Sequence, residues 1–84
     1  MARDDRSAIA VGRVLRQARK SAGVTQQEVA LRARMDRAYL SEVENGKRSL
    51  SIDRLLLICK AMNVPASTIV GRIERALRRA APRD

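Results

Sequence analysis

The sequence predicts an all-α domain of five helices. Apolar residues recur at helical spacing in successive segments, helix-capping residues separate those segments, and aromatic residues make up only 1% of the chain. A core without aromatic rings must come from Leu, Ile, Val, Ala and Met, and this composition suits helices better than strands. With 84 residues, the chain forms one small domain that is too small for a deep enzyme cleft.

The first predicted helix begins at Ser7, and residues 1–6 are expected to form a flexible N-terminus. Gly12 costs this helix about 1 kcal/mol relative to alanine, whereas Gly23 follows the last apolar position and is a good stop signal. The second helix is predicted over residues 26–33, because Thr25 and Glu28 have the spacing of a capping box.

The third helix follows after only about three residues, with Asp36 as its predicted cap and an Asn-Gly pair at its end. Ser51 is the predicted cap of a fourth helix that ends near Asn63. Pro65 opens a fifth helical stretch, and the sequence leaves open whether Gly71 interrupts it. Residues 71–84 are expected to form a basic helical extension with a frayed tail.

The charge balance indicates a polyanionic partner. Lys and Arg number 18 against 9 Asp and Glu, which gives a net charge of +9. The absence of His and the single Cys argue against an enzyme, a metal site or a cofactor. Cys59 lies in an apolar run, so we interpret it as a small buried hydrophobe, with a redox-sensing thiol as the alternative.

Two features bear on location. No apolar run approaches the ~20 residues that cross a bilayer, and the start MARDDRSAIA lacks the apolar stretch of a signal peptide. These features predict a cytoplasmic protein. A basic amphipathic helix lying on a membrane surface is disfavoured, because the chain has neither Trp nor Phe to anchor it.

The two short helices joined by a tight turn predict a helix-turn-helix. In that motif one side of the second helix is anchored in the core, while its exposed side enters the major groove of DNA. Five apolar residues have the spacing required for the buried side: Val29, Ala30, Ala33, Leu40 and Val43.

The segment TQQEVALRARMDRAYLSEVENGKRSLSIDRLLLICKAMNV resembles the DNA-binding domain of phage repressor and Cro proteins, the XRE-type family. Within it, DRAYLSEVENGKRSLSID resembles the small controller proteins of restriction–modification systems. The resemblance covers roughly residues 11–70 and implies a repressor-like bundle, with residues 7–70 as the DNA-binding domain. It further implies a transcriptional regulator that binds a two-fold symmetric operator as a homodimer.

The exposed side of the third helix supplies the candidate base-reading residues. Arg37 at its first position can present a bidentate fork to guanine, with a phosphate contact as the alternative. Tyr39, the one aromatic residue, is expected to contact the groove or backbone, with partial packing as its alternative. Ala38 can touch a thymine methyl, with an ordinary helical alanine as the alternative, and Ser41 is expected to make a polar contact of lower specificity. Glu42 can accept from cytosine N4, with the exclusion of wrong sequences as its alternative.

The resemblance also implies contacts to the DNA backbone and one structural ion pair. Its expected phosphate ligands lie at the start of the second helix and after the third helix: Gln26, Gln27, Asn45, Lys47 and Arg48. The family pairs a glutamate at the end of the third helix with an arginine of the first helix, which corresponds here to Glu44 with Arg19.

An apolar surface near the C-terminus is expected to mediate dimerisation, through Leu56, Ile69, Val70, Ile73 and Leu77. Two alternatives remain open for the same segment. The extension could fold back on its own domain, or it could wrap a protein toxin, as in antitoxins that use this DNA-binding domain.

Overall fold

The computed structural model describes residues 6–80 and contains five α-helices and no strand within that range. The predicted all-α class is therefore confirmed. In chain order the helices are α1 Arg6–Ser21, α2 Gln26–Ala33, α3 Arg37–Glu44, α4 Ile52–Met62 and α5 Ala66–Ala80. Helix α1 includes Arg6, which was predicted to belong to the flexible N-terminus. The predictions for residues 1–5 and 81–84 lie outside the described residues.

The predicted capping box begins α2. The Thr25 backbone N–H donates to Glu28 Oε1 at 2.9 Å, and the Glu28 backbone N–H donates to Thr25 Oγ1 at 3.0 Å. Hydrogen bonding of the carboxylate to the Thr25 backbone N–H, followed by its interaction with the Thr25 side chain and a smaller contribution from Arg32, holds the pKa of Glu28 below its ordinary value. Ser51 caps α4 in a similar way by accepting from the Arg54 backbone N–H at 3.2 Å.

The turn between α2 and α3 differs from the prediction in one respect. Asp36 occupies the N-cap position of α3, but its carboxylate makes no capping hydrogen bond. Arg34 ends α2 in the left-handed conformation, with φ of 55°. A side chain in this conformation costs about 1–2 kcal/mol, so the surrounding packing and hydrogen bonds must hold the turn in place. One of these is the bond from the Met35 N–H to the Ala30 carbonyl at 2.9 Å.

The core lies between all five helices and consists of aliphatic side chains. The five residues expected on the buried side of the helix-turn-helix are all buried. Cys59 is also buried, and burial raises the pKa of its thiol. A protonated thiol in this setting supports its interpretation as a small hydrophobe.

Gly12 allows α1 to cross close to the end of α3. A Cβ atom at this position would clash with the Val43 carbonyl oxygen and would lie 2.6 Å from the Glu44 carbonyl oxygen. Both neighbours are backbone atoms and cannot move aside without shifting α3. The glycine therefore permits the close approach of the two helices, which offsets its cost to helix formation.

Helix α5 continues through Gly71 without interruption and packs against α1 and α4. Ile69 and Ile73 are buried in the core of the domain, because this helix folds back on its own domain. The expectation that these two side chains form a dimer surface is therefore wrong. The predicted boundary between residues 70 and 71 also falls inside this helix.

Among residues 6–80, no single helix is both long and apolar enough to cross a bilayer. Helices α4 and α5 meet the length and composition criteria only as a pair, and they are bent by 113° relative to each other.

Candidate nucleic-acid interface

Helices α2 and α3 form the helix-turn-helix, each with eight residues. Leu40 and Val43 anchor α3, since their exposed fractions are 1% and 0%. Their burial turns the opposite side of the helix outward, where Arg37, Ala38 and Glu42 are exposed. Ser41 is half-buried at the edge of this surface. The spacing of the two aliphatic residues thus determines which polar residues α3 presents.

A buried carboxylate joins α3 to the two preceding helices. Glu44 accepts from Arg19 Nε at 2.7 Å and from Arg19 Nη2 at 3.1 Å, and its side chain is only 2% exposed. The Gln26 amide nitrogen adds a third hydrogen bond to the same carboxylate at 2.9 Å. The same arginine also donates to the Val24 carbonyl at 3.0 Å. The ion pair implied by the resemblance is present in the structure.

Gln26 links this network to the exposed side of α3. Its amide oxygen lies 3.4 Å from Arg37 Nη1, a long hydrogen bond that places the guanidinium beside the N-terminus of α2. A carboxamide nitrogen has two N–H groups, and only one of them is needed for Glu44. The second N–H can therefore still donate to a phosphate. Gln27 is exposed at the next position.

Tyr39 is half-buried and packs against the core, which matches the alternative of partial packing. Its hydroxyl donates to the Ser49 carbonyl across 3.4 Å. Two guanidinium groups contact its ring, with the Cζ atom of Arg48 5.2 Å and that of Arg54 4.6 Å from the centroid. The ring can thus position both cations through cation–π contacts.

Arg54 is the residue of this surface that the sequence interpretation missed. It lies in the first turn of α4, where the helix dipole disfavours a positive charge. Asp53 in the same turn offsets that interaction, so the sequence carried no signal for Arg54.

The loop after α3 carries further polar groups. Arg48 Nε lies 3.0 Å from Glu42 Oε1 in an ion pair whose side chains are 55% and 51% exposed. Asn45 and Lys47 are exposed beside it. The ion pair reduces the repulsion that Glu42 would otherwise exert on a phosphate. Arg48 is therefore shared between the Tyr39 ring and a carboxylate of α3.

Three of the five residues predicted to form the dimer surface remain at least partly exposed on α4 and α5. Leu56 and Val70 are 50% and 38% exposed, and Leu77 is half-buried.

Among the described residues, no group of three or more Cys, Asp or Glu side chains could hold a metal ion.

Comparison with known proteins agrees with this geometry. A helix-turn-helix family model matches residues 15–69. The transcriptional regulator ClgR of Mycobacterium tuberculosis is 45% identical over 60 residues, which cover 71% of this chain and 54% of that protein. The chain thus spans about half the length of the curated relatives it matches.

Two solved structures share the fold. The clp gene regulator ClgR from Corynebacterium glutamicum has a TM-score of 0.82 and 29% identity, over 86% of this chain and 77% of that one. The restriction–modification controller protein C.Esp1396I was solved as a tetramer with its natural 35 base-pair operator. It has a TM-score of 0.78 and 28% identity, over 86% of this chain and 95% of that one. Together with the α2–α3 arrangement, these matches show that the chain belongs to the helix-turn-helix family.

Proposed function

We propose that this chain is a sequence-specific DNA-binding transcriptional regulator that occupies a two-fold symmetric operator as a homodimer. The observation that supports this most directly is the exposed side of α3. There Arg37 lies at the first helical position, beside Gln26, on a helix whose other side is held by Leu40 and Val43.

In the proposed complex, the start of α3 enters the major groove and Arg37 donates to guanine O6 and N7. Ala38 contacts a thymine methyl at the same edge, and Ser41 forms a polar contact of lower specificity. Glu42 accepts from cytosine N4 or disfavours other bases by repulsion. Tyr39 contributes mainly by positioning two arginines, because its ring is partly buried against the core.

The proposed phosphate contacts surround this reading surface. Gln26 and Gln27 lie at the positive end of α2, and the loop after α3 supplies the next group. That group comprises Asn45, Lys47 and Arg48. We add Arg54 to it, because its guanidinium shares the Tyr39 ring with that of Arg48. Each phosphate that the protein neutralises should contribute about −0.9 to the slope of log K against log salt.

The proposed homodimer uses the flank of α4 and α5 formed by Leu56, Val70 and Leu77. For two copies of α3 to enter successive major-groove faces, the dimer must hold them about 34 Å apart. Two half-sites read together supply the affinity and specificity that one small domain lacks.

Two relatives bear on the kind of regulator. The 45% identity with ClgR over 60 residues supports a transcriptional regulator of that type. A restriction–modification controller is the second candidate, because the match to C.Esp1396I extends over 95% of that chain. Both candidates share the same proposed site and differ in the genes that they control.

The test is selection of bound duplexes from a random pool, followed by a footprint of the selected sequence. We expect a consensus with two-fold symmetry and a protected region with two half-sites one helical turn apart. A pool that remains random after repeated rounds would refute sequence-specific binding. A consensus without symmetry would refute the homodimer while retaining the DNA contact.

A further inference from the structure

A second basic surface lies on α5, outside the helix-turn-helix. Arg72, Arg75 and Arg79 are spaced at i, i+3 and i+7, so they lie on one face of the helix, and all three are exposed. Together with Val14, Gln17 and Ser21 of α1, they line an open hollow of about 420 Å³. We call these three arginines and their α1 wall the α5 arginine face.

The chemistry of this face suits phosphate groups. Three guanidiniums supply forked N–H donors, and Gln17 and Ser21 add an amide and a hydroxyl donor on the opposite wall. Among residues 6–80, no carboxylate lines the hollow, and Glu74, the acidic residue of α5, is not among the lining residues. Like charges at this spacing repel one another, so a bound anion would relieve the repulsion.

The position of the face follows from helix geometry. Successive residues of a helix are turned by about 100°, so Arg72 and Arg79 lie roughly 160° around α5 from Val70 and Leu77. The arginine face therefore points away from the proposed dimer flank and lies on the outer side of a dimer. Its α1 wall ends at Ser21, the last residue of α1 before the turn that leads to α2.

We propose that the α5 arginine face binds the phosphate backbone of DNA that flanks the operator half-site. The inference rests on the proposed function, because it extends the DNA contact beyond the recognition helix. Ser21, which lines the hollow, ends α1 five positions before Gln26, so one edge of the face adjoins the part of the chain where a phosphate contact is expected. Flanking DNA is thus the nearest source of phosphate groups.

The test compares two duplexes by fluorescence anisotropy: the selected operator alone, and the operator extended by about 10 base pairs, one helical turn, on each side. We expect the wild-type protein to bind the longer duplex more tightly. The R75Q/R79Q variant should not show this increase in affinity. Its affinity for the longer duplex should be about tenfold lower than that of the wild type, and its slope of log K against log salt should be smaller in magnitude by about 2. Its affinity for the short duplex and its base preference should stay unchanged.

The matched control is the R34Q/K60Q variant, which removes the same number of charges from the α2–α4 side, where both residues line a different hollow. This variant should keep the full gain from flanking DNA. Competition by pyrophosphate that weakens binding of the long duplex alone would also support a phosphate site.

Three outcomes would overturn the inference. Equal binding of both duplexes by the wild type would refute the flanking contact and leave the proposed function intact. A gain that persists in R75Q/R79Q, as expected if the face binds an acidic protein instead of DNA, would also refute it. A wild-type protein that binds neither duplex would refute the proposed function and this inference together.

Discussion

At the scale of single residues, Glu44 has the widest structural role. Its carboxylate receives three hydrogen bonds from two residues on α1 and α2, while the residue itself ends α3. Because the side chain is only 2% exposed, water cannot replace a lost partner. The orientation of Gln26, and through it that of Arg37, therefore depends on this one buried charge.

We predict that Glu44→Gln lowers the free energy of unfolding by about 3 kcal/mol, because it leaves the Arg19 guanidinium without its buried counter-charge. Urea denaturation monitored by circular dichroism measures the change. The control is Glu42→Gln, which breaks an ion pair that is about half exposed and should cost less than about 1 kcal/mol. Equal losses in the two variants would show that the burial of Glu44 does not matter.

Substitutions of Arg37 and Lys47 are expected to weaken DNA binding in different ways. Arg37→Ala should weaken binding to the selected operator by about 1–3 kcal/mol and relax the preference at one base pair, because a base contact is lost. Lys47→Ala should weaken binding to all duplexes alike and make the salt dependence shallower, because a phosphate contact is lost. Titration of each variant with operator and random duplexes at several salt concentrations distinguishes the loss of a base contact from the loss of a phosphate contact. Unchanged affinities in the Arg37 variant would refute its assigned role.

At the scale of elements, the sequence predicted helix bounds well wherever side chains act locally. Both ends of α2 follow from the capping box at Thr25 and the apolar spacing. Contacts between helices could not be predicted in this way. The close approach at Gly12 and the burial of Ile69 and Ile73 depend on how α1, α3 and α5 pack together, and one-dimensional spacing does not encode that packing.

Alanine substitutions at the two helical glycines, Gly12 and Gly71, directly test the packing between helices. Gly12→Ala should destabilise the fold by more than about 1 kcal/mol, because its Cβ would clash with backbone carbonyls of α3. Gly71→Ala should instead stabilise the fold by up to about 1 kcal/mol, since no atom of residues 6–80 lies within 4 Å of a Cβ placed there and alanine favours the helix. Thermal melts of both variants measure the two effects. A Gly12→Ala variant that is as stable as the wild type, or more stable, would contradict the close α1–α3 crossing.

At the scale of the whole molecule, the net charge of +9 and the helix order were sufficient to predict a DNA-binding class. The detail of the site was harder to predict. The sequence placed Tyr39 on the exposed side of α3, but the packing of its ring with Arg48 and Arg54 requires the loop and α4 to meet α3. Residues distant in the chain came together in a way that periodicity alone could not show.

The proposed dimer gives a prediction at this scale. The L56E/V70E variant should sediment as a monomer, because it places two charges on the apolar flank of α4 and α5. Leu31→Glu is the control, since Leu31 is 78% exposed on α2, outside this flank, and should not affect assembly. Analytical ultracentrifugation provides the readout. A dimer that survives in L56E/V70E would exclude this flank as the interface.

The central claim is that α3 contacts DNA bases, and nuclear magnetic resonance titration with the selected operator tests it most directly. We predict that the largest amide shifts fall on residues 37–42 and on the start of α2, with smaller shifts in the loop after α3. Shifts confined to α4 and α5, with the amides of α3 unchanged at saturation, would contradict the claim.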